Sequence, residues 1–222
     1  MIGIMQPYFF PYIGYFQLIH AVDTYVNLDH VSFMKRSYMT RNTLKDDTPI
    51  NVAVWGGSQN KQCAEVMVNF SNNYIQNFRT KVHHLYSKEP YYKDICNLIM
   101  PEFYEREISI SSFNFNLIKR ICDYLDITTR LIDTSTTFTE CHLPREAGLK
   151  CITKALESTT YVNAIGGQAL YTKDDFKHDG IDLYFIEMLD VDFDNRYASI
   201  LDLLFRYDKA HLQKQITRYQ LI

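Results

Sequence analysis

The chain has 222 residues, of which 46% are hydrophobic and 22% charged, and its formal net charge is −3. This length suits a single domain over residues 1–222, and the apolar fraction is sufficient for a sizeable core. The small negative charge predicts no general attraction to DNA or to an anionic membrane, so an anionic ligand would need a local cluster of cations.

The cysteines number five, and no pair has CxxC spacing. This pattern predicts neither a disulfide framework nor a metal site. No segment resembles a secretion signal or a membrane-inserted helix. We therefore expect a reduced, cytoplasmic protein without membrane insertion. Tyrosine is unusually common at 17 residues. Its flat ring and polar tip suit the walls of a sugar or base site, although codon bias is the explanation we favour.

The first elements follow the order strand, loop, helix, strand. The apolar run 1–5 predicts a buried strand that ends at Gln6 and Pro7. Apolar residues at helical spacing predict a helix over 13–22, and residues 24–28 predict a second strand. This order begins a parallel α/β sheet, in which ligands bind at the carboxyl ends of the strands.

The remaining chain continues this alternation, with an irregular segment predicted over 29–42. Further strands are predicted over 50–55, 64–70, 129–133, 161–164 and 183–186. Further helices are predicted over 72–86, 91–104, 113–125, 145–156, 173–178 and 199–205, the second of them interrupted by Pro101. The predicted fold class is α/β: a mostly parallel sheet flanked by helices, Rossmann-like, with a helical C-terminal part.

The loop after the first strand is the first candidate site. Two prolines, Pro7 and Pro11, restrict its backbone, and Gly14 allows a close approach at the start of the helix. Free backbone N–H groups at that point favour a phosphate or carboxylate. The candidate substrate-binding side chains here are Gln6, Tyr8, Tyr12 and Tyr15. The alternative is an aromatic plug that covers the end of the sheet.

The segment that follows the second strand is the second candidate site. Its cations can bind a phosphate or carboxylate, and the amide of Asn42 completes it; these cations are Lys35, Arg36 and Arg41. Asp29 and His30 are candidate catalytic acid–base groups. A solvated basic loop is the alternative, since most charge clusters are solvated.

Two further features are weaker. Gly166 and Gly167 follow the strand predicted over 161–164, where they suit an anion or a close backbone approach, and a plain turn explains them equally well. Asp202 lies among apolar residues of a predicted core helix, so we expect a buried pairing with Arg206 or another basic residue.

These stretches resemble the WbqC-like family of bacterial surface-polysaccharide gene clusters. Residues 6–16 are similar to its QP-aromatic opening, and Asp29, the 35–36 pair and the 41–42 pair are similar to its D-D-V-Q and K-R to R-N segment. Residues 161–180 and 199–205 resemble its two later motifs, so the resemblance spans essentially the whole chain. The chain departs from the family pattern at His30, where the family has an acid, and at Ser32, where it has glutamine.

The resemblance implies a transferase that modifies a nucleotide-linked amino sugar, by acyl or aminoacyl transfer to the sugar amine, during O-antigen or surface-polysaccharide synthesis. The expected partners are that sugar and a small-molecule or carrier-bound acyl or aminoacyl donor, with no other cofactor and no metal. One alternative is a non-catalytic binding or scaffolding component of glycan assembly. Another is a degenerate nucleotidyltransferase, in which Tyr12 and Tyr15 replace the histidines of an HxGH signature.

Overall fold

A six-stranded, mostly parallel sheet is the centre of the computed structural model, which describes residues 1–105 and 107–222. The strands are β1 (Ile2–Met5), β2 (Thr24–Asn27), β3 (Arg41–Leu44), β4 (Thr48–Asn51), β5 (Val54–Trp55), β6 (Met67–Val68), β7 (Arg130–Ile132), β8 (Thr160–Ala164), β9 (Asp182–Met188) and β10 (Tyr219–Leu221). The helices are α1 (Ile13–Ala21), α2 (Asn72–Tyr86), α3 (Tyr92–Ile99), α4 (Ile110–Tyr124), α5 (Glu146–Ala155), α6 (Lys173–His178), α7 (Ile200–Arg206) and α8 (Lys209–Ile216).

The order of strands across the main sheet is β10-β9-β8-β1-β2-β7. Every pair is parallel except β9 with β10, which is antiparallel. Strands β3 with β4 and β5 with β6 form two separate antiparallel pairs within the long connection from β2 to β7. The predicted fold class is confirmed, and none of the described helices combines the length and apolar character needed to cross a membrane.

Hydrophobic residues pack on both faces of the sheet. Side chains alternate along each strand, so Tyr161 of β8 packs in one core with residues of α5 and α6, while its neighbour Val162 packs in the other. The larger core contains α1, α4 and the aromatic residues of the first loop. Gly3 of β1 lets α1 approach closely, since a Cβ atom there would lie 2.6 Å from Leu18.

Several predicted boundaries are wrong. The predicted interruption of the 91–104 helix at Pro101 is confirmed, since α3 ends at Ile99, but the part that follows is a 3-10 helix with Pro101 in its first turn. The strand predicted over 64–70 is a 3-10 turn followed by the two-residue β6. Strand β3 begins at Arg41, inside the segment predicted to be irregular. Helix α8 and strand β10 were not predicted, so the C-terminal part is not purely helical.

The expectation of fully reduced cysteines is wrong, because Cys141 and Cys151 form a disulfide. The 3-10 turn that carries Cys141 packs tightly against α5: a Cβ atom on Gly148 would lie 3.1 Å from the Cys141 carbonyl oxygen. This packing brings the two cysteine Cα atoms to 5.2 Å. The two cysteines are 10 residues apart in the sequence and belong to no recognised motif, so the sequence did not predict this disulfide.

The buried carboxylate of Asp202 has the partner that its sequence context predicts. Arg206 Nη1 lies 3.2 Å from its Oδ2, and the hydroxyl of Tyr86 donates to its Oδ1 at 2.7 Å. These contacts join α7 to α2, so this group stabilises the packing of the helical layer.

Candidate functional site

The direction in which successive strands are added to the sheet reverses at β1. After β2 the sheet grows outward to β7, and the chain then returns to place β8 on the opposite side of β1. The loops that leave β1 and β8 therefore diverge and leave a crevice at the carboxyl ends of these strands. In open α/β sheets this switch point is the usual place for a ligand.

A pocket of about 410 Å³ occupies this crevice, and we call it the switch-point pocket. It is lined by seven of the predicted site residues: Gln6, Tyr8, Tyr12, Gly14, Tyr15, Gly166 and Gly167. The rest of its wall is formed by Ile4, Met5, Leu18, Leu28, Leu149, Tyr161, Asn163, Ala164, Leu170 and Tyr171. This lining is composed of apolar groups, phenols and amides, and no charged side chain belongs to the described wall.

Tyr15 holds the end of β1 in place. Its side chain is buried, and its hydroxyl donates to the backbone carbonyl of Gln6 at 2.7 Å. The hydroxyls of Tyr15 and Tyr25 also form a hydrogen bond with each other. The predicted binding residue Tyr15 thus positions Gln6 in addition to lining the pocket.

Two glycines allow side chains to pack closely at the pocket wall. A Cβ atom on Gly14 would lie 2.3 Å from the ring of Tyr12, and a Cβ atom on Gly167 would lie 2.6 Å from the Nδ2 atom of Asn163. Gly166 differs, because a Cβ atom there would meet nothing within 4 Å. Gly167, and not Gly166, therefore leaves room for the Asn163 amide at the end of β8.

Sequence reasoning missed Leu149 as a pocket residue, and in the candidate motif that runs from Asn163 to Gln168 and is followed by Tyr171 it assigned binding to the two glycines alone. Asn163 carries a usable signal, since it lies near the end of a predicted strand and therefore at the edge where ligands bind. Leu149 lies on α5, and Tyr171 follows the 3-10 turn after β8. Nothing in their local sequence indicates that these elements fold toward β1.

The pocket tyrosines are hydrogen-bonding phenols at neutral pH. Burial raises the pKa of Tyr8, and Tyr38 raises it further. Burial also raises the pKa of Tyr12, Tyr15, Tyr161 and Tyr171. A phenol with a raised pKa stays protonated at neutral pH, so these side chains can donate and accept hydrogen bonds and are not set up as bases.

The cation-bearing stretch 35–42, which we call the basic segment, lies beside the pocket, and its charged side chains do not line it. Lys35, Arg36 and Arg41 are exposed. The segment meets the first loop through Tyr38, whose carbonyl accepts from the backbone N–H of Phe9 at 2.8 Å. The ring centroids of Tyr38 and Tyr8 are 5.8 Å apart.

Two amides fix the first loop from outside the pocket. Asn42 Nδ2 donates to the carbonyl oxygens of Phe9 and Phe10 at 3.0 and 2.7 Å. Asn114 Nδ2, from α4, donates to the carbonyl oxygens of Pro7 and Met39 at 2.9 and 2.8 Å. The predicted substrate-binding residue Asn42 is therefore occupied with the backbone of the loop.

Asp29 lies at the centre of a buried hydrogen-bond network, and its side chain is outside the switch-point pocket. Its carboxylate accepts from the backbone N–H and the hydroxyl of Ser135 at 2.8 and 2.9 Å. The hydroxyls of Thr134 and Ser111 lie 2.9 and 3.3 Å from the same carboxylate. These donors join the segments after β2 and β7 to the start of α4, so the carboxylate organises this edge of the sheet.

His30 extends the same network toward solvent. Its Nδ1 atom lies 2.7 Å from the hydroxyl oxygen of Ser135, which also donates to Asp29. Since that hydroxyl gives its proton to Asp29, His30 Nδ1 is the donor and Nε2 the acceptor. The His30 ring stacks on His142 at a centroid distance of 4.4 Å.

Within the described residues, no cluster of three or more His, Cys, Asp or Glu side chains is arranged to hold a metal.

His30 is expected to titrate below the usual histidine pKa of about 6.5. Burial lowers the pKa of His30, His142 lowers it further, and Asp29 opposes the shift. The unfolded state then binds the proton more readily, so this contribution to stability is complete above about pH 6.5 and is lost as the pH falls toward the folded pKa.

The measurement is an NMR titration of the imidazole C2–H signals, with the His30 signal assigned by its absence in His30→Gln. The His142→Ala variant should move the midpoint of His30 back toward its usual value. A wild-type midpoint at or above 6.5 would show that burial does not disfavour the imidazolium.

A larger cavity, of about 550 Å³, lies between α2 and α3 and contains none of the predicted site residues. Arg79, Tyr92, Cys96 and Tyr104 are among its lining residues. It belongs to the helical layer and is lined by no residue of the β1 and β8 strand ends.

The fold and the crevice define a Rossmann-like α/β protein whose candidate ligand site is the switch point of its sheet. The model of the WbqC-like protein family matches residues 6–214, and the chain belongs to that family. It is also 26% identical over 141 residues to the uncharacterized protein Rv1507c of Mycobacterium tuberculosis. That alignment covers 60% of this chain and 59% of the relative, so the chain spans less than two thirds of the relative's length. The comparison with solved structures gives no significant match.

Proposed function

We propose that this protein is a transferase that modifies a nucleotide-linked amino sugar in surface-polysaccharide synthesis. The observation that carries the proposal is the composition of the switch-point pocket, whose described wall has tyrosine rings and amides and no charged side chain. A neutral, polyhydroxylated ring suits such a wall, because tyrosine faces cover its apolar side and amides pair with its hydroxyls. The described side chains offer no counter-ion, so this wall is proposed to contact the sugar ring and not the diphosphate.

The pocket residues take distinct roles in this proposal. The amides of Gln6 and Asn163 bind sugar hydroxyls, and the rings of Tyr8 and Tyr171 cover the sugar faces. The backbone at Gly14, at the start of α1, lies near the phosphates, where free N–H groups favour an anion. The cations of the basic segment lie beyond Tyr8 and Tyr38 and attract the diphosphate as it leaves the pocket.

The proposed chemistry is acyl or aminoacyl transfer from a thioester or ester donor. The sugar amine nitrogen attacks the carbonyl carbon of the donor, a C–N bond forms, and the C–S or C–O bond breaks. The amine proton passes to a base and then to the departing thiolate or alkoxide. His30, which is half-buried and does not belong to the described pocket wall, is the proposed base, because a neutral imidazole can accept the proton. Asp29 is then a positioning residue that acts through Ser135.

The neutral pocket wall also favours a second candidate, a non-catalytic binding component of glycan assembly. Its tyrosines remain protonated, and no carboxylate or amine belongs to the described lining. The two candidates differ in one result: the transferase converts an amino sugar to its amide when supplied with an acyl thioester, and the binding component does not. Mass spectrometry of the nucleotide sugar after incubation separates them.

The two neighbouring glycines provide a matched test of the pocket. Gly167→Ala should weaken the binding of a UDP-linked amino sugar roughly tenfold, because the new methyl group displaces the Asn163 amide from its hydrogen-bonding position. Gly166→Ala should bind like the wild type, since its Cβ atom enters open space. Isothermal titration calorimetry gives both affinities, and UDP alone separates the sugar contribution from the nucleotide contribution.

Equal affinities of the two variants would show that the sugar does not bind in the switch-point pocket. A wild-type protein that binds no nucleotide-linked sugar would overturn the proposed function as a whole. Thermal unfolding of both variants shows whether a loss of affinity reflects a loss of folding.

A further inference from the structure

The disulfide between Cys141 and Cys151 closes a short stretch of chain that touches both the pocket and the proposed base. His142 follows Cys141 directly, and its ring stacks on that of His30 at a centroid distance of 4.4 Å. Leu149, two residues before Cys151 on α5, lines the switch-point pocket. The disulfide therefore joins the chain that contacts His30 to the helix that lines the pocket.

The connection 142–145, between the 3-10 turn of Cys141 and α5, has few contacts of its own. All four of its residues are exposed. The N–H of His142 reaches the carbonyl of Thr139 at 3.4 Å, and the backbone hydrogen bonds of the described residues include none donated by Leu143 or Arg145. Arg145 has a φ of 53° and no side-chain bond that caps α5. A segment with so few contacts is positioned mainly by what holds its two ends.

The disulfide and one glycine contact hold those ends together. Cys141 is buried in the same core as Leu149 of α5. A Cβ atom on Gly148 would lie 2.7 Å from the carbonyl oxygen of Leu143, so the turn touches the helix at this residue. Gly148 and Cys151 are three residues apart and share one face of α5. The covalent bond is thus the second of two successive attachments between the turn and the helix.

We propose that Cys141 and Cys151 form a redox site, which holds His142 against His30 as a disulfide and releases it as a dithiol. The reductant is a second dithiol. One of its thiolates attacks the sulfur of Cys151, which is the more exposed of the two cysteines, and the S–S bond breaks. Cys141 leaves as a thiolate and takes up a proton. The other thiol of the reductant then displaces Cys151, so two electrons and two protons reach the protein and the reductant becomes a disulfide.

Reduction acts on His30 through the ring of His142. Among the described residues, the titratable groups that act on His30 are Asp29, which favours the imidazolium, and His142, which disfavours it together with burial. Loss of the stack removes one unfavourable contribution and raises the pKa of His30. The inference rests on the proposed function in one respect: His30 is the base there, and His142 becomes a positioning residue that controls its charge.

The first measurement counts thiols. The whole protein is equilibrated with oxidised or with reduced dithiothreitol, alkylated in denaturant and weighed by mass spectrometry. We expect alkylation of Cys63, Cys96 and Cys122 alone after oxidation, and of all five cysteines after reduction. Alkylation of all five cysteines after oxidation would overturn the redox site.

The second measurement is the NMR midpoint of His30 in the two forms. Reduction should raise the wild-type midpoint to that of oxidised His142→Ala, and it should leave the midpoint of His142→Ala itself unchanged. Cys96→Ser, which removes a free thiol of α3, should respond like the wild type. The signals of His20 and His211, which contact Tyr219 and Tyr207, should not move.

Three results would overturn the inference. One is a His30 midpoint that is the same in both forms, and another is a midpoint that rises equally in His142→Ala. The third is a loss of the dispersed imidazole signals on reduction, because the bond would then hold the whole fold and not His142 alone.

Binding of a UDP-linked amino sugar is measured in both forms, so that the two proposals can fail separately. Sugar binding with a midpoint that ignores reduction would overturn the redox site and leave the proposed function standing. A midpoint that rises on reduction, in a protein that binds no nucleotide-linked sugar, would support the redox site and overturn the proposed function.

Discussion

Asp29→Ala is expected to lower the free energy of unfolding by about 3–5 kcal/mol. The side chain is 3% exposed. Its removal leaves the backbone N–H of Ser135 without an acceptor, together with the hydroxyls of Ser111, Thr134 and Ser135. A buried donor that loses its acceptor costs about 1–3 kcal/mol, and the rotatable hydroxyls recover part of this cost by turning to other acceptors.

Chemical denaturation by urea, followed by circular dichroism, measures this change. Asp190→Ala is the matched control, because Asp190 is exposed and its side chain makes no contact that we describe; its effect should stay within about 0.5 kcal/mol. Asp29→Asn keeps one acceptor oxygen and should fall between the two. If Asp29→Ala were as stable as the control, the carboxylate would not organise this edge of the sheet.

The result also bears on the proposed chemistry. Substitution of a residue that only contacts substrate is expected to lower activity and leave the free energy of unfolding unchanged. Substitution of Asp29 is expected to lower the free energy of unfolding. Its position in the network therefore separates it from His30, which shares Ser135 with it but is only half-buried. Activity measured in His30→Gln, whose fold keeps the Asp29 contacts, reports on the proposed base alone.

Local pattern was sufficient for the elements that frame the site. The helix predicted over 72–86 and the one over 173–178 have the bounds of α2 and α6, and both begin at side-chain caps; α2 also carries an apolar face. The loop between β1 and α1 was predicted because two prolines restrict its backbone and Gly14 allows a close approach. These signals lie within a few residues of each other and need no knowledge of the tertiary fold.

The partner wall of the pocket could not be predicted in the same way. Ile2 of β1 pairs with Tyr161 of β8, and no local pattern indicates which strand becomes the neighbour of another. The glycine pair 166–167 was recognised as a strand-end feature, but its place beside Gln6 depends on that pairing.

The missed elements have weaker signals. Helix α8 buries only Leu212, Gln215 and Ile216, so its apolar face is too small to identify by periodicity. Its Asp208 cap, which accepts from the N–H of His211, is a signal that could have found it. Strand β10 has three residues, which is too short for alternation to show.

The charged side chains of the basic segment do not line the switch-point pocket. Ionised side chains stay in water unless a partner draws them inward, and Lys35 and Arg36 have no acidic partner among the described residues. The backbone of the segment, by contrast, does contact the first loop, through Tyr38 and Asn42. The proximity of the two segments followed from strand order, whereas the direction of their side chains did not.

Asn114→Ala is expected to lower the free energy of unfolding by about 2–4 kcal/mol. The side chain is fully buried, and its Nδ2 atom satisfies the carbonyl oxygens of Pro7 and Met39 together. Alanine leaves both carbonyls without a donor in a site that is closed to water. Because one carbonyl belongs to the first loop and the other to the basic segment, the variant should also weaken the contact between the loop and that segment.

Two measurements test this prediction. Urea denaturation gives the change in stability, with Asn73→Ala as the control, since Asn73 is an exposed helical residue for which alanine is neutral or stabilising. Binding of a UDP-linked amino sugar reports on the pocket, because Tyr8 follows Pro7 directly and should lose its fixed position. Asn42→Ala, which frees the half-buried carbonyl contacts of Phe9 and Phe10, should weaken binding with a smaller loss of stability. An Asn114→Ala protein with the stability and affinity of the control would mean that Asn114 does not hold the loop in place.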